Sequence, residues 1–354
     1  EDLILKDSSP YNVQWRGSRP VFIDVGSFER LPRGEPWIGY RQFCMLFLYP
    51  LLLQAYKNVP FQPWLRGSID GIMPQECRSL MSFRDLFRRG VFAHVYLHSR
   101  LDRRPAETAG DVKRELRAAG FKKELIVANV RRLAKLIRRL EWNPERSTWA
   151  EYGATTSYSE GDAARKEDFV RAAVGTRRWS LAWDLGCNVG RFARMAAENA
   201  RYVVALDADA AVVERLYRAF KEEGSASILP LAVNVVDPSP GIGWRGTERR
   251  TLEERGLPDL TLCLALIHHV VIRGNVPVRD FVDWLASLET ALVIEFPTRD
   301  DPQVQRLLAA KREGLHADYE RGWFERCLGE AFDVELSETL ASGNRVLYFA
   351  RPKT

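Results

Sequence analysis

The sequence predicts an α/β protein with a doubly wound, mainly parallel seven-stranded sheet that closes in an antiparallel C-terminal hairpin. From Trp179 onward, apolar segments of strand length alternate with segments of helical periodicity. A glycine-rich turn follows the first of these strands. The last two strands are separated only by the short turn 341–344, so they can pair only as antiparallel neighbours.

The seven strands are expected at 181–184, 202–206, 228–233, 260–267, 291–296, 332–340 and 345–350. Helices are expected between them at 191–198, 211–223, 278–288, 304–313 and 319–331. Residues 1–148 have a different texture and are expected to form a mostly helical N-terminal domain with a short β-hairpin over 3–26. Its helices are expected over 39–57 and, in pieces separated by Gly90, Pro105 and Gly120, over 78–140. Residues 149–354 then form the sheet domain.

Composition excludes several classes of protein. The 354 residues are 46% hydrophobic and 28% charged, and no apolar run approaches the ~20 residues that span a bilayer. The five cysteines are scattered without a CxxC pair, so neither a disulfide framework nor a zinc site is expected. A cytoplasmic protein is the expectation, and because the chain opens at Glu1 without methionine, further residues upstream are expected as well.

Positive charge is concentrated in one segment. Residues 111–140 hold ten Lys or Arg against three Asp or Glu, whereas the whole chain has a net charge of +5. Such a segment can attract an anionic partner such as RNA. It can equally be the solvated face of a helix whose Leu and Val side chains turn to the core.

The first strand runs into Asp184-Leu-Gly-Cys-Asn-Val-Gly190 and then into a helix. Glycines at a strand-to-helix turn let the backbone approach a ligand closely, and the helix N-terminus offers free N–H groups to an anion. Asp207 ends the next strand, twenty-one residues after Gly186. A carboxylate there can accept hydrogen bonds from ribose hydroxyls. Together these features predict a nucleoside-containing cofactor.

Spacing separates two kinds of cofactor. A dinucleotide enzyme would have GxGxxG, whereas this turn has GxxxG with an acid two residues before the first glycine. It resembles the turn of class I S-adenosylmethionine-dependent methyltransferases, with Asn188 in place of the middle glycine. Such a replacement requires Asn188 to adopt a left-handed conformation.

That resemblance implies a Rossmann-like methyltransferase with S-adenosyl-L-methionine as its cofactor and Cys187 within the binding turn. It also implies further contacts to the cofactor from Ala208, Asn234, Val235, Leu266 and Tyr158. Asn234 is placed to bind the adenine amine and the Val235 backbone to face the ring, although Asn234 also suits a plain turn. Tyr158 either closes over the cofactor or belongs to a packed linker.

Two histidines, His268 and His269, end the strand expected over 260–267. Open α/β sheets bind ligands at that edge, and imidazole can serve there as a general base near neutral pH. His268 is slightly favoured as the base, with the other histidine structural. Glu295, on the next strand, is expected to orient a histidine or to be a satisfied strand-end carboxylate, and a metal site formed with both histidines is a further possibility.

A wider resemblance covers nearly the whole chain. The matching stretches are Leu5–Gln14, Arg19–Asp24, Trp37–Cys44, Asp70–Ile72, Asp237–Trp244, Ala265–His269 and Val293–Phe296. They resemble a family of bacterial methyltransferases, some of which carry a nodulation-protein label. The family's substrates are poorly defined, so this resemblance implies no acceptor.

The opening segment also resembles a kinase catalytic loop, with Asp7 and Asn12 in D-x-x-x-x-N and Asp24 in D-x-G. Only six residues precede Asp7, which leaves no room for a phosphate-binding lobe. A relic used for docking, a chance hairpin and a lobe completed by residues upstream are the three interpretations.

Three functions are compatible with these residues. The leading hypothesis is methyl transfer to oxygen or nitrogen of a small-molecule or glycan acceptor. The first alternative is an RNA methyltransferase that binds RNA through 111–140. The second is a non-catalytic cofactor-binding subunit whose N-terminal domain recruits a protein partner.

Overall fold

A computed structural model describes residues 2–32, 34–102, 122–143 and 158–353. The chain divides into two compact units. The first comprises Glu1–Gln14, Pro20–Pro144 and Gly241–Arg249, and the second comprises Trp15–Arg19, Glu145–Pro240 and Arg250–Thr354. No helix in the described ranges is long and apolar enough to cross a membrane.

The first unit combines short strands with helices. Its strand pairs are antiparallel β1 (Leu3–Leu5) with β4 (Phe28–Arg30), and the hairpin β2 (Val13–Arg16) with β3 (Arg19–Phe22), whose turn falls in the second unit. Its α-helices are α1 (Tyr40–Phe43), α2 (Tyr49–Lys57), α3 (Gln62–Gly67), α4 (Pro74–Leu80), α5 (His98–Asp102) and α6 (Lys123–Ile137).

The core of this unit forms around the continuous helical segment 40–57. A π-helical turn, Cys44–Leu48, joins α1 to α2, and a second one, Phe92–Leu97, leads into α5. Buried apolar side chains from these elements and from α6 pack together because each helix turns one apolar stripe inward. The expected helix over 39–57 is therefore confirmed, apart from its internal π turn.

The second unit contains the seven-stranded sheet. Its strands are β5 (Trp179–Leu185), β6 (Ala200–Asp207), β7 (Ile228–Ala232), β8 (Leu260–Cys263), β9 (Ala291–Pro297), β10 (Phe332–Thr339) and β11 (Arg345–Pro352). The accompanying helices are α7 (Glu160–Val174), α8 (Arg191–Ala197), α9 (Ala210–Glu222), α10 (Leu252–Arg255), α11 (Val278–Ser287), α12 (Pro302–Ala309) and α13 (Arg321–Ala331).

The strand order confirms the predicted fold class. Across the sheet it runs β10-β11-β9-β8-β5-β6-β7, with β11 antiparallel to both of its neighbours and the other pairs parallel. One apolar cluster lies on each face, since parallel strands covered by helices on both sides bury both sets of side chains. The order reverses between β5 and β8, which places a ligand-binding crevice at their carboxyl ends.

Two local expectations are wrong. The strand expected over 260–267 ends at Cys263, because Ala265 adopts φ 51° and the N–H of His269 bonds to the carbonyl of Leu266. The hairpin expected over 3–26 is instead divided between two strand pairs, one of which extends to Arg30. The expected boundary after residue 148 lies outside the described residues.

Candidate functional site

The glycine-rich turn connects β5 to α8. The N–H groups of Gly186 and Cys187 both donate to the carbonyl of Leu206 on β6, at 2.8 and 2.9 Å, which fixes the turn against the neighbouring strand. Asn188 has φ 45°, the left-handed conformation that its place in the motif requires.

Both glycines of the turn are sterically constrained. Each has a positive φ, near 75°. A Cβ on Gly190 would lie 2.6 Å from Cδ1 of Leu216, and one on Gly186 would lie 3.2 Å from Cδ1 of Leu266. The turn is therefore glycine-dependent in backbone conformation and in packing. Leu266 lies against Gly186, and its expected contact with the cofactor stays a prediction.

Asp184, the last residue but one of β5, has a carboxylate that is incompletely paired among the described residues. The side chain is only 2% exposed, and the backbone N–H of Ala193 hydrogen-bonds to it. Its Oδ2 has no hydrogen-bond partner among the described residues. Burial, with a smaller contribution from Asp207, raises its pKa from the usual 3.8 to about 7. A buried acceptor without a donor is costly, so it indicates a place for a ligand donor.

Asp207 links the turn to the next strand. Its Oδ2 accepts the N–H of Asn188 at 3.0 Å and its Oδ1 accepts the N–H of Asp209 at 2.9 Å. Burial raises the pKa of Asp207, and these backbone donors oppose that effect. Each carboxylate oxygen has more than one lone pair, so both can still accept a ligand hydroxyl.

The segment after β7 has a clear local role. Oδ1 of Asn234 accepts the N–H of Val236 at 3.1 Å, the hydrogen bond of an Asx turn. Both Asn234 and Ala208 are exposed. A cavity of about 220 Å³ is lined by Leu206, Val233 and Val235, with Trp183 and Trp284 among its other walls. Val235, which is expected to face adenine, is therefore part of an apolar wall.

The histidine pair follows β8 at the start of a π-helical turn, His269–Arg273. The two rings are tilted by 37° relative to each other, with centroids 4.1 Å apart. His268 is only 2% exposed, whereas His269 is half-buried. Burial lowers the pKa of both, to about 4 for His269. Both imidazoles are therefore neutral at physiological pH, and His269 is the more accessible.

A buried ion cluster surrounds Glu295 on β9. Its Oε2 accepts from Nζ of Lys166 at 2.6 Å, and its Oε1 accepts from the hydroxyl of Tyr158 at 2.6 Å and from Arg345 at 3.1 Å. Arg345 also donates through Nε to Asp301 at 2.8 Å. Both oxygens of Glu295 accept hydrogen bonds from these donors. This favours the prediction of a satisfied carboxylate over the prediction of a carboxylate that orients a histidine. In the described ranges no group of three His, Cys, Asp or Glu could hold a metal ion.

The charges of this cluster balance. Burial would raise the pKa of Glu295, but Lys166 and Arg345 outweigh it and hold the pKa below its usual value. Burial and the nearby carboxylate raise the pKa of the Tyr158 hydroxyl, which stays protonated and donates. Lys166 and Arg345 also lower the pKa of His268, so the cluster acts electrostatically on the histidine pair.

Sequence reasoning missed Lys166 and Arg345 as members of this cluster. No sequence motif marks either residue: Lys166 lies on α7 and Arg345 begins β11. One signal existed: a charged residue that interrupts an otherwise apolar strand, as Glu295 does in Ala-Leu-Val-Ile-Glu-Phe-Pro, needs a buried cation nearby. The left-handed Ala265 beside the site had no sequence signal.

The kinase-like residues are connected through Ser27. The side-chain amide of Asn12 donates to Oγ of Ser27 at 3.3 Å and to the carbonyl of Asp7 at 3.5 Å, and Oγ of Ser27 donates to the carboxylate of Asp24. These bonds account for the local fold of the segment. The comparison with a kinase loop stays a prediction.

Comparison with known proteins gave one relative by sequence. The chain is 32% identical over 347 residues to the nodulation protein NoeA of Rhizobium meliloti (strain 1021), a match that covers 97% of this chain and 72% of that protein. No protein-family model matches the chain.

Solved structures show weaker similarity. The N-methyltransferase NodS of Bradyrhizobium japonicum WM9 is 15% identical with a TM-score of 0.39, covering 56% of this chain and all of that one. Magnesium protoporphyrin IX methyltransferase of Synechocystis PCC 6803, solved with S-adenosylhomocysteine, is 18% identical with a TM-score of 0.38, covering 54% of this chain and 83% of that one. The fold is identified by the sheet order itself.

Proposed function

We propose, from the site itself, that this member of the family of the nodulation protein NoeA is an S-adenosylmethionine-dependent methyltransferase. The name of that relative specifies no chemistry. The observation that carries this proposal is the buried, unpaired Oδ2 of Asp184, next to a glycine turn and one strand from Asp207. An ammonium group would satisfy the first carboxylate and ribose hydroxyls the second. The amino acid and nucleoside parts of S-adenosylmethionine supply both.

Each residue of the site then has a role toward this cofactor. The turn 186–190 approaches it with backbone alone, Asp207 accepts from the ribose, and Leu266 packs against the turn. Val235 and the cavity beside it provide an apolar surface for adenine. When bound, the cofactor supplies an electrophilic methyl group; the chain aligns the acceptor with it and excludes water.

The acceptor is a small molecule or glycan with a nucleophilic oxygen or nitrogen. His269 is the better placed of the pair to accept its proton, since it is neutral and more accessible than His268. Glu295 keeps Tyr158, Lys166 and Arg345 in place beside the histidines and takes no proton itself. RNA remains the alternative acceptor, which the basic helix α6 favours.

Transfer from methyl-labelled S-adenosylmethionine to fractionated small-molecule, glycan and RNA pools tests this activity. His269→Ala is expected to lower the rate by about 10²-fold or more while cofactor affinity stays unchanged. His268→Ala is the comparison, because it removes the neighbouring ring and leaves His269 in place. Absence of transfer to every fraction, with the cofactor bound, would instead favour a non-catalytic subunit that recruits a partner.

The raised pKa of Asp184 predicts pH-dependent cofactor binding. The pKa of Asp184 is higher in the folded protein than in the unfolded chain, so protonation of this group adds to the free energy of unfolding. That contribution is fully present below pH 3.8 and is lost as the pH rises through about 7. An ammonium ligand needs the ionised form, so affinity should rise between about pH 6 and pH 7.5 while the ligand amine stays charged. Asp184→Asn should bind weakly and remove this dependence in calorimetry. An unchanged trend in that variant would assign the titration to another group.

A further inference from the structure

Two phenylalanines stand unusually exposed on the first unit. Phe83 and Phe87 are 75% and 81% exposed, and their rings are 5.9 Å apart in an edge-to-face arrangement. They lie in a single helical turn, Phe83–Phe87, that is anchored by the buried side chain of Asp85. Its carboxylate accepts a hydrogen bond from the hydroxyl of Ser82 and forms a salt bridge with Lys57. A rigid turn therefore presents both rings to the outside.

Arginines alternate with these rings. Arg84, Arg88 and Arg89 are all exposed. Arg88 pairs with Asp85 and lies over the ring of Tyr56 at 5.0 Å, whereas Arg84 and Arg89 make no salt bridge to any described residue. Exposed aromatic faces interleaved with unpaired guanidinium groups suit a ligand that has both flat rings and negative charges.

Helix α6 extends the same positive surface. Gly90, directly after Arg89, packs so closely on α6 that a Cβ there would lie 2.4 Å from Cδ2 of Leu136. Leu133 and Leu136 face the core. The remaining surface of α6 and the two residues that directly follow it carry five exposed cations that form no salt bridge within the described ranges, with no acidic residue between them: Arg131, Arg132, Lys135, Arg138 and Arg139.

Helical periodicity sets their arrangement. Arg132 and Arg139, seven residues apart, lie on the edge of α6 nearest Leu136 and therefore nearest Gly90. Cations at a helix C-terminus complement its dipole, but one or two are enough for that purpose. The surface formed by Phe83–Arg89 and the outward face of 131–139, here named the Phe–Arg surface, is thus a positive track beside a pair of stacking rings.

We propose that the Phe–Arg surface binds single-stranded RNA, with the arginines and lysine along the phosphates and the two phenylalanines stacked on bases. The stretch 131–139 favours this linear polyanion over a lipid bilayer, because it exposes cations and no large apolar side chain, whereas the exposed Leu125, Val127 and Val130 lie earlier on α6. The binding goes beyond the proposed methyl transfer and would stand if cofactor binding failed.

Fluorescence anisotropy of the full chain with a labelled oligouridylate of about twelve nucleotides tests this surface over a range of salt concentrations. Phe83→Ala/Phe87→Ala should weaken binding about 10-fold or more with an unchanged salt slope, and Phe83→Tyr/Phe87→Tyr should retain it. Arg84→Glu/Arg89→Glu should instead flatten the slope of log K against log salt by about 1.4. Arg201→Glu/Arg215→Glu, exposed charges of the second unit, are the matched control.

Several results would overturn the proposal. Equal binding by wild type and Phe83→Ala/Phe87→Ala would mean that the surface binds polyanions without base stacking. An equal loss of affinity in Arg201→Glu/Arg215→Glu would mean that the attraction is non-specific. Failure of the wild type to bind would exclude the surface altogether. Binding to phosphatidylglycerol–phosphatidylcholine vesicles that depends on Phe83 and Phe87, without oligouridylate binding, would assign it to membranes. Thermal unfolding of each variant shows that the fold is intact.

Discussion

Replacing Asp207 with alanine should weaken S-adenosylmethionine binding by at least about 100-fold. Two hydrogen bonds from ribose hydroxyls to a partly buried carboxylate contribute about 1.5 kcal/mol or more each, and 1.4 kcal/mol corresponds to a factor of ten. Isothermal titration calorimetry of both proteins measures the change directly.

Asp207 also accepts the N–H groups of Asn188 and Asp209, so its removal disturbs the turn as well as the ligand. Asp207→Asn keeps the side-chain shape and one of these two backbone hydrogen bonds while it removes the charge, and thermal unfolding of both variants separates a disturbed turn from a lost ligand contact. Asp283→Ala, an exposed carboxylate on α11, is the control for net charge. An affinity for Asp207→Ala within a few-fold of wild type would remove Asp207 from the binding site.

Glu295→Ala should be the most destabilising single change in the sheet unit. It leaves Lys166 and Arg345 buried without their shared carboxylate, and loss of one partner from a buried ion pair costs about 3–5 kcal/mol. The free energy of unfolding in urea measures this loss. By contrast, Glu198→Ala, which breaks an exposed pair with Arg171, should cost no more than about 1 kcal/mol.

A double substitution separates lost charge pairing from lost packing. Lys166→Met/Glu295→Leu removes both charges of the closest pair and leaves Arg345 with Asp301. It should recover part of the stability that Glu295→Ala loses, because apolar replacements of similar size avoid the desolvation cost. If Glu295→Ala unfolds no more easily than Glu198→Ala, the cluster does not stabilise the fold.

The sequence was sufficient for the architecture and for the conformation of the glycine-rich turn. Alternating apolar segments give a seven-stranded sheet because strands and helices bury their side chains with different periods, and the 341–344 turn gives the antiparallel end. Asp184, Gly186, Gly190 and Asp207 follow from local spacing, since they act through neighbouring backbone at one sheet edge.

The ion cluster and the Phe–Arg surface depend on tertiary structure. Lys166 and Glu295 are 129 residues apart in sequence, and only the fold brings Nζ of Lys166 on α7 within 2.6 Å of Oε2 of Glu295 on β9. The histidines were expected on a strand, but Ala265 turns the chain early and places them in a π-helical turn. Likewise, the exposure of Phe83 and Phe87 cannot be read from their apolar character, which by itself favours burial.

The most direct test of the account is calorimetry of the wild-type chain with S-adenosylmethionine near pH 7.5. Saturable binding with one site per chain is expected. It should be weakened in Asp184→Asn, weakened at least about 100-fold in Asp207→Ala and retained in His269→Ala. No detectable binding by a folded wild-type chain would contradict the assignment of the Asp184–Gly190 turn and Asp207 as the cofactor site.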